Sequence, residues 1–310
     1  MESYVRPLFL PNRHLETIYP SLFRKIELRS YERERIETPD KDFLDLDFLR
    51  QGASHLVIIS HGLEGNTERA YIKGMAKVFF EKCFDVLAWN YRGCSGEMNR
   101  QPRFYHSGAT EDLKTVIDKV YPIYQSISLI GFSLGGNLTL KFLGESGATY
   151  KKITTAVVFS VPLDLHTSCL EIMKPYNWIY HQRFLKSLKT KVLQKSSQQP
   201  TIRVDRLNSV KTLMEFDDHF TAPIHGFANA IDYYTRSSSI HFVEAIQTKT
   251  LIVNAKNDPF LSRECFPDLK DHTFVRTENP LHGGHVGFAH FGENGRYWSE
   301  MRALDFIITT

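Results

Sequence analysis

The five residues Gly131-Phe132-Ser133-Leu134-Gly135 sit between an apolar run, Ile127-Ser128-Leu129-Ile130, and a helix-forming segment over 136–143. That order predicts a strand, a tight turn and a helix. A serine at the apex of such a turn takes strained backbone angles. The glycines two residues before and two after it stand where side chains would collide with the neighbouring strand and helix. The serine hydroxyl is presented at the carboxyl edge of a sheet, and the helix behind it aims backbone N–H groups and a positive dipole end at any oxyanion formed nearby. Ser133 is therefore the first candidate nucleophile. Gly-x-Ser-x-Gly also occurs as a glycine-rich turn with an idle serine, and the flanking strand and helix are what favour the chemical reading.

Around this unit the same alternation repeats. Residues 56–60 and 84–90 read as strands, each followed by a glycine-bearing loop: His61-Gly62-Leu63-Glu64-Gly65 after the first and Tyr91-Arg92-Gly93-Cys94-Ser95-Gly96 after the second. Apolar runs covered on both faces are the mark of parallel strands. Residues 69–83 carry Ile72, Met75, Ala76 and Phe79 at helical spacing. Further strands are expected over 154–160, 251–255 and 272–276. A helix is expected to be capped by Thr110, with Glu111 and Asp112 at its positive end. A final helix is expected to carry Tyr297, Met301, Leu304 and Ile308 on one side. Upstream, residues 23–29 and 43–48 alternate charged and apolar side chains and read as antiparallel edge strands, with the more highly charged 32–37 at an exposed edge and a turn at Pro39-Asp40-Lys41-Asp42. Residues 1–23 read as an arm or short helical turn interrupted by Pro7, Pro11 and Pro20. Strands alternating with helices imply a doubly wound, mostly parallel sheet.

Between Pro162 and Gln247 the alternation stops. The stretch is rich in aromatic and basic residues and reads as several inserted helices. The expected organisation is residues 1–161 as the first part of an α/β core, 162–247 as a helical lid, and 248–310 as the second part of the core. A second independent domain is disfavoured, because flexible linkers are lacking at both ends.

Charge and cysteine usage narrow the function classes. Lys and Arg number 38 against 35 Asp and Glu, and the signs are interspersed, so no nucleic-acid partner is expected. Cys83, Cys94, Cys169 and Cys265 are widely spaced with no Cys-x-x-Cys pair, which argues against a disulfide framework and a zinc site. Reduced thiols in a cytoplasmic protein are the expectation. There is no long apolar leader and no run of about 18 apolar residues, so neither an export signal nor a transmembrane segment is expected.

A serine hydroxyl is a poor nucleophile near neutrality. It needs a histidine to accept its proton and a carboxylate to fix the imidazole tautomer. In this kind of sheet the order along the chain is serine, acid, histidine. His285, in Leu281-His282-Gly283-Gly284-His285-Val286-Gly287-Phe288, follows the last expected strand and is the candidate base. His282 is its rival, and His61 falls before the serine and reads as structural. Asp258, in Ala255-Lys256-Asn257-Asp258-Pro259-Phe260, stands past the carboxyl end of a core strand and is the candidate acid. Its alternative role is capping a following helix. Asp217 and Asp218 read as charged surface. The backbone N–H groups of Leu63 and Leu134 are the candidate oxyanion donors.

The chain resembles the α/β-hydrolase superfamily, and within it the YheT-like, embryogenesis-associated-protein type. The resemblance rests on Arg13-His14-Leu15-Glu16-Thr17, His61-Gly62-Leu63-Glu64-Gly65, Asn90-Tyr91-Arg92-Gly93-Cys94-Ser95-Gly96, Tyr105-His106-Ser107-Gly108, Gly131-Phe132-Ser133-Leu134-Gly135-Gly136-Asn137, Phe216-Asp217-Asp218-His219-Phe220-Thr221-Ala222-Pro223 and Gly283-Gly284-His285-Val286-Gly287-Phe288. It spans nearly the whole chain. It implies an α/β-hydrolase fold with a helical lid, Ser133, Asp258 and His285 as a triad, and hydrolysis of short-chain esters or monoacylglycerols. The expected reaction requires no metal and no organic cofactor, and the expected partner is a small ester or lipid. A thioesterase, amidase or phospholipase would use the same residues, and a non-catalytic acyl-ligand binder would keep the same fold. Oligomeric state is not legible in the sequence.

Overall fold

The computed structural model describes residues 3–291 and 295–310. Among these, strands β1 (Glu32–Glu37), β2 (Phe43–Leu49), β3 (His55–Ser60), β4 (Asp85–Asn90), β5 (Ser126–Phe132), β6 (Ile153–Phe159), β7 (Lys249–Val253) and β8 (Val275–Glu278) form one sheet. Their order is β1-β2-β4-β3-β5-β6-β7-β8. Only the β1/β2 and β2/β4 pairs are antiparallel; every pair from β4 to β8 is parallel.

The apolar runs are two-faced because both faces are covered. Leu56 and Ile58 of β3 pack into one core cluster, Val57 and Ile59 into the other. Helices α1 (Arg13–Phe23), α2 (Ala70–Phe80), α3 (Thr110–Val120), α4 (Leu134–Ser146), α5 (Leu165–Met173), α6 (Trp178–Ser196), α7 (Leu213–Phe216), α8 (Ala222–His225), α9 (Ala230–Ser237) and α10 (Trp298–Thr309) complete the chain. Leu113 and Ile117 of α3 and Leu138 of α4 join the first cluster. Ile72 and Phe79 of α2 and Leu304 and Ile307 of α10 join the second. Helices α5 to α9 lie between β6 and β7 and hold a cluster of their own, including Leu185, Val192, Leu213 and Phe216. No described helix is long and apolar enough to cross a membrane.

Several local expectations are corrected. Residues 24–31 form no strand, because Phe23 closes α1 and the ladder with β2 starts only at Glu32. The proline-bearing arm folds into an eleven-residue helix that contains Pro20, started by Asn12, whose side chain accepts from the amides of His14 and Leu15. The last strand is Val275–Glu278, starting three residues later and ending two later than the 272–276 pattern. Leu304 of the last helix is buried as expected, but Ile308 is exposed and Ile307 is buried in its place. Thr110 caps nothing; its hydroxyl donates to Glu145 at 2.6 Å, and Ala109 occupies the cap position. Glu111 and Asp112 do stand in the first turn of α3, as expected; Asp112 is in addition buried against Arg92, whose guanidinium donates to it at 2.8 and 2.7 Å and also reaches Asp40 and Asp42. That buried network pins the loop after β4 to the β1–β2 turn.

Candidate active site

Ser133 lies in the turn between β5 and α4 with φ 52° and ψ −119°, in the half of backbone space that L-residues avoid. The strain is held from two sides. Its amide donates to the Phe159 carbonyl at 2.9 Å, and its carbonyl accepts from the amides of Gly136 and Asn137 at 2.9 and 3.0 Å. The flanking glycines are sterically required: a β-carbon on Gly131 would come within 2.5 Å of the Gly135 carbonyl, and one on Gly135 within 2.5 Å of the Ser60 and His61 carbonyls.

The structure brings Ser133, His285 and Asp258 together in one line. Ser133 Oγ is 2.9 Å from His285 Nε2. His285 Nδ1 is 3.1 and 2.9 Å from the two oxygens of Asp258. The Asp258 side chain is fully buried, and its Oδ1 also accepts from the Phe260 amide at 2.9 Å. Both oxygens of this carboxylate thus face the imidazole, and the short helical turn that follows, Arg263–Cys265, has Ser262 and not Asp258 at its cap position. The ring of Phe260 stands 4.2 Å from that of His285, with Tyr180 and Phe184 behind it. Other aromatics of the inserted helical stretch lie elsewhere: Tyr176 and Trp178 are exposed, and Tyr233 and Tyr234 are buried within it.

His282 is outside this line, 3.4 Å from Asn257 Nδ2 and 3.8 Å from Glu16. His61 is buried directly under the loop that follows β3. Its Nδ1–H donates to the Gly62 carbonyl at 2.8 Å, and its Nε2 accepts from the Tyr91 amide at 3.3 Å. The Gly65 amide donates to the same Gly62 carbonyl at 3.0 Å. Carbonyl and N–H point in opposite directions across a trans peptide, so two donors on the Gly62 oxygen turn the Leu63 N–H the other way. The Leu134 N–H is likewise one of the donors left over at the start of α4. Among the described residues, neither amide donates to a protein acceptor. The two loops are in contact, since a β-carbon on Gly62 would lie 3.3 Å from that of Ser133.

Burial drives the His61 pKa down from 6.5 to about 3, against the opposing pull of its bond to Gly62. Above pH 6.5 His61 is neutral whether the chain is folded or unfolded. Below 6.5 the unfolded chain takes up a proton that the folded chain refuses until about pH 3, so stability is lost as pH falls through that window. The urea midpoint is expected to drop accordingly, and His61→Gln is expected to flatten part of the slope. An unchanged slope in that variant would show that this ring is not held neutral.

Three features escaped the sequence. The first is the grip of α1 on the histidine loop: Glu16 Oε2 accepts from the Gly283 amide at 2.6 Å and from Asn257 Nδ2 at 3.0 Å, and Thr17 Oγ1 accepts from the His285 amide at 2.9 Å. Gly287 fits there because a β-carbon would lie 2.3 Å from the Glu16 carbonyl. The motif Arg13–Thr17 was the available signal, without a partner to attach it to. The second is Glu64, at φ 52°, whose carboxylate accepts from Tyr105, Ser187 and Lys191 at 2.7, 2.5 and 2.7 Å. Through it α6 holds the residue next to Leu63. A polar cavity of about 530 Å³, lined by Glu64, Cys94 and Lys191 among others, lies beside this contact and is not lined by Ser133 or His285. The third is Asp217, which is not surface charge: it accepts from Tyr234 at 2.6 Å and from Thr221 at 2.5 Å, and burial pushes its pKa up to about 6.

Residues 55–289 match the family model described as alpha/beta hydrolase fold. The chain is 33% identical to the YheT protein of Escherichia coli (strain K12), over 96% of this chain and 91% of that one. It is 26% identical to a monoacylglycerol lipase of Saccharomyces cerevisiae, over 84% of this chain and 60% of the relative. Among solved structures it resembles the Pyrococcus furiosus esterase Pf2001, with a TM-score of 0.58 at 16% identity, covering 90% of this chain and 92% of that one.

Proposed function

Because this chain belongs to the α/β-hydrolase family, in its YheT-like branch, we propose that it is a serine hydrolase cleaving carboxylic esters through an acyl-enzyme on Ser133. The observation that carries the proposal is the strained serine hydrogen-bonded to an imidazole whose far nitrogen is held by a buried carboxylate. Ser133 Oγ attacks the ester carbonyl while His285 Nε2 takes its proton. The tetrahedral oxyanion is received by the Leu63 and Leu134 amides, which are fixed before the reaction begins. Collapse expels the alkoxide, which leaves as the alcohol with the proton from His285. Water, deprotonated in turn by His285, then attacks the acyl-serine and frees the acid and Ser133. Asp258 stays ionised throughout and stabilises the imidazolium.

Short-chain esters and monoacylglycerols are the proposed substrates, the latter supported by the name of the yeast relative. Residues 162–247 act as a lid over the core formed by 1–161 and 248–310. Tyr180 and Phe184, which back Phe260 beside His285, are the side chains that shelter an acyl chain. A fluorophosphonate probe tests the reading directly. The expected result is stoichiometric labelling of the native protein on the peptide containing Ser133; a native protein that stays unlabelled would be a ligand binder on the same fold.

A further inference from the structure

Helix α1 is built inside out. Its buried positions are Glu16 and Pro20, and Glu16 and Thr17 spend their polar atoms on the histidine loop. Leu15, Ile18 and Leu22, spaced three and four residues apart, share one helix face, and Leu15 and Leu22 are 42% and 63% exposed. A surface helix ordinarily turns such a stripe inward. Here the inner face is taken by polar work, and the apolar stripe is left outside.

The stripe continues in both directions. On one side lie Leu8 and Phe9 of the arm, 96% and 56% exposed, with the Phe9 ring 5.8 Å from that of Tyr19 on α1. On the other side the start of α6 adjoins α1 through His14 Nδ1 and the Tyr180 hydroxyl, 3.2 Å apart, and it leaves Trp178 and Ile179 exposed. Contiguous exposed apolar surface of this kind marks a docking site.

The charges identify what docks. Between Ser3 and Ile26 the only acidic residue is Glu16, which is buried and lies 3.8 Å from Arg6, whereas Arg13, over the Tyr176 ring, and exposed Lys25 add further positive charge beside the stripe. An apolar helical face bordered by cations and by a tryptophan matches the boundary between lipid headgroups and acyl chains. A second copy of this chain fits poorly, since a two-fold contact would press one face whose border charges are positive against an identical face with no exposed acid between Ser3 and Ile26 to meet them.

We propose that the outer face of the arm, α1 and the start of α6 docks on the surface of a lipid bilayer, with anionic headgroups meeting Arg6, Arg13 and Lys25. Docking there places the bilayer against the helix whose inner side holds the His285 loop. From Trp178 and Ile179, Tyr180 and Phe260 lead inward to the imidazole. The proposal stands whether or not Ser133 cleaves esters.

The test uses the Ser133→Ala protein, so that binding is read apart from catalysis. It is floated with vesicles of phosphatidylcholine, or of phosphatidylcholine mixed with phosphatidylglycerol. Flotation with the mixed vesicles is expected, weaker with phosphatidylcholine alone, and the difference should vanish at high salt. Adding Leu15→Asn and Leu22→Asn together should weaken binding at least about tenfold. Ile123→Asn, at an exposed apolar position beyond the end of α3, should change nothing. Melting temperatures establish that each variant is folded. Failure of the parent to float, or equal flotation by the folded double variant, overturns the proposal. A parent found dimeric by light scattering and made monomeric by the double variant overturns it too, in favour of a second copy on this face.

Discussion

Ser133→Ala is expected to lower turnover of p-nitrophenyl acetate by at least about 10⁴-fold while leaving the melting temperature nearly unchanged. The two halves of that expectation have separate grounds. The substitution removes one oxygen, whose partner is His285 Nε2 at 2.9 Å, and it empties no packed volume. The backbone strain at φ 52° is imposed by the bonds to Phe159, Gly136 and Asn137, and alanine inherits it. The residual rate reflects an oxyanion site and a binding surface without a nucleophile. Turnover by the variant at the native rate would place the chemistry elsewhere. A collapse in melting temperature would mean that the hydroxyl is structural.

The second large effect is expected at Asp258, where asparagine should cut kcat by on the order of 10³–10⁴-fold with little change in fold. Asparagine can keep its oxygen on the Phe260 amide, the bond Asp258 makes at 2.9 Å. That choice turns its NH₂ toward His285 Nδ1. An N–H facing Nδ1 forces the imidazole proton onto Nε2, the nitrogen that must accept from Ser133. The ring is then present, correctly placed and in the wrong tautomer. Proton NMR separates this outcome from simple misfolding. The native protein should show a low-field Nδ1–H resonance from the bond to Asp258, and the variant should lose that signal while keeping its dispersed amide spectrum. Native-like turnover in Asp258→Asn would reduce the carboxylate to a packing role.

What the sequence reveals follows the range of the forces involved. The turn at Ser133 is legible because its demands are local: glycines at fixed offsets and an apolar run beside a helical one. The parallel strands are legible because burial on both faces leaves continuous apolar runs. Edges are harder. Residues 23–29 alternate as a strand would, yet the ladder is set by which residues find a partner, and β2 pairs with residues 32–37 instead. Thr110 is a sound cap by type, but its hydroxyl finds Glu145 across the helix interface. The order of serine, acid and histidine along the chain, with their places just past strands, makes Ser133, Asp258 and His285 the candidates, and these three side chains do meet in the structure. Nothing local selects Glu16, whose partner Gly283 lies 267 residues away, or Lys191, which meets Glu64 across 127. Such pairs answer to three-dimensional closure: the motif Arg13–Thr17 marks Glu16 in the sequence but not the partner it meets.

The clasp between α1 and the histidine loop also orders events in time. Glu16 and Thr17 lie 267 and 268 residues before the Gly283 and His285 amides they hold, with Ser133 in between. Contacts this distant in sequence close late in folding. The chemistry proposed for Ser133 therefore waits on the closing of this clasp, since it holds the loop that sets His285 beside the serine.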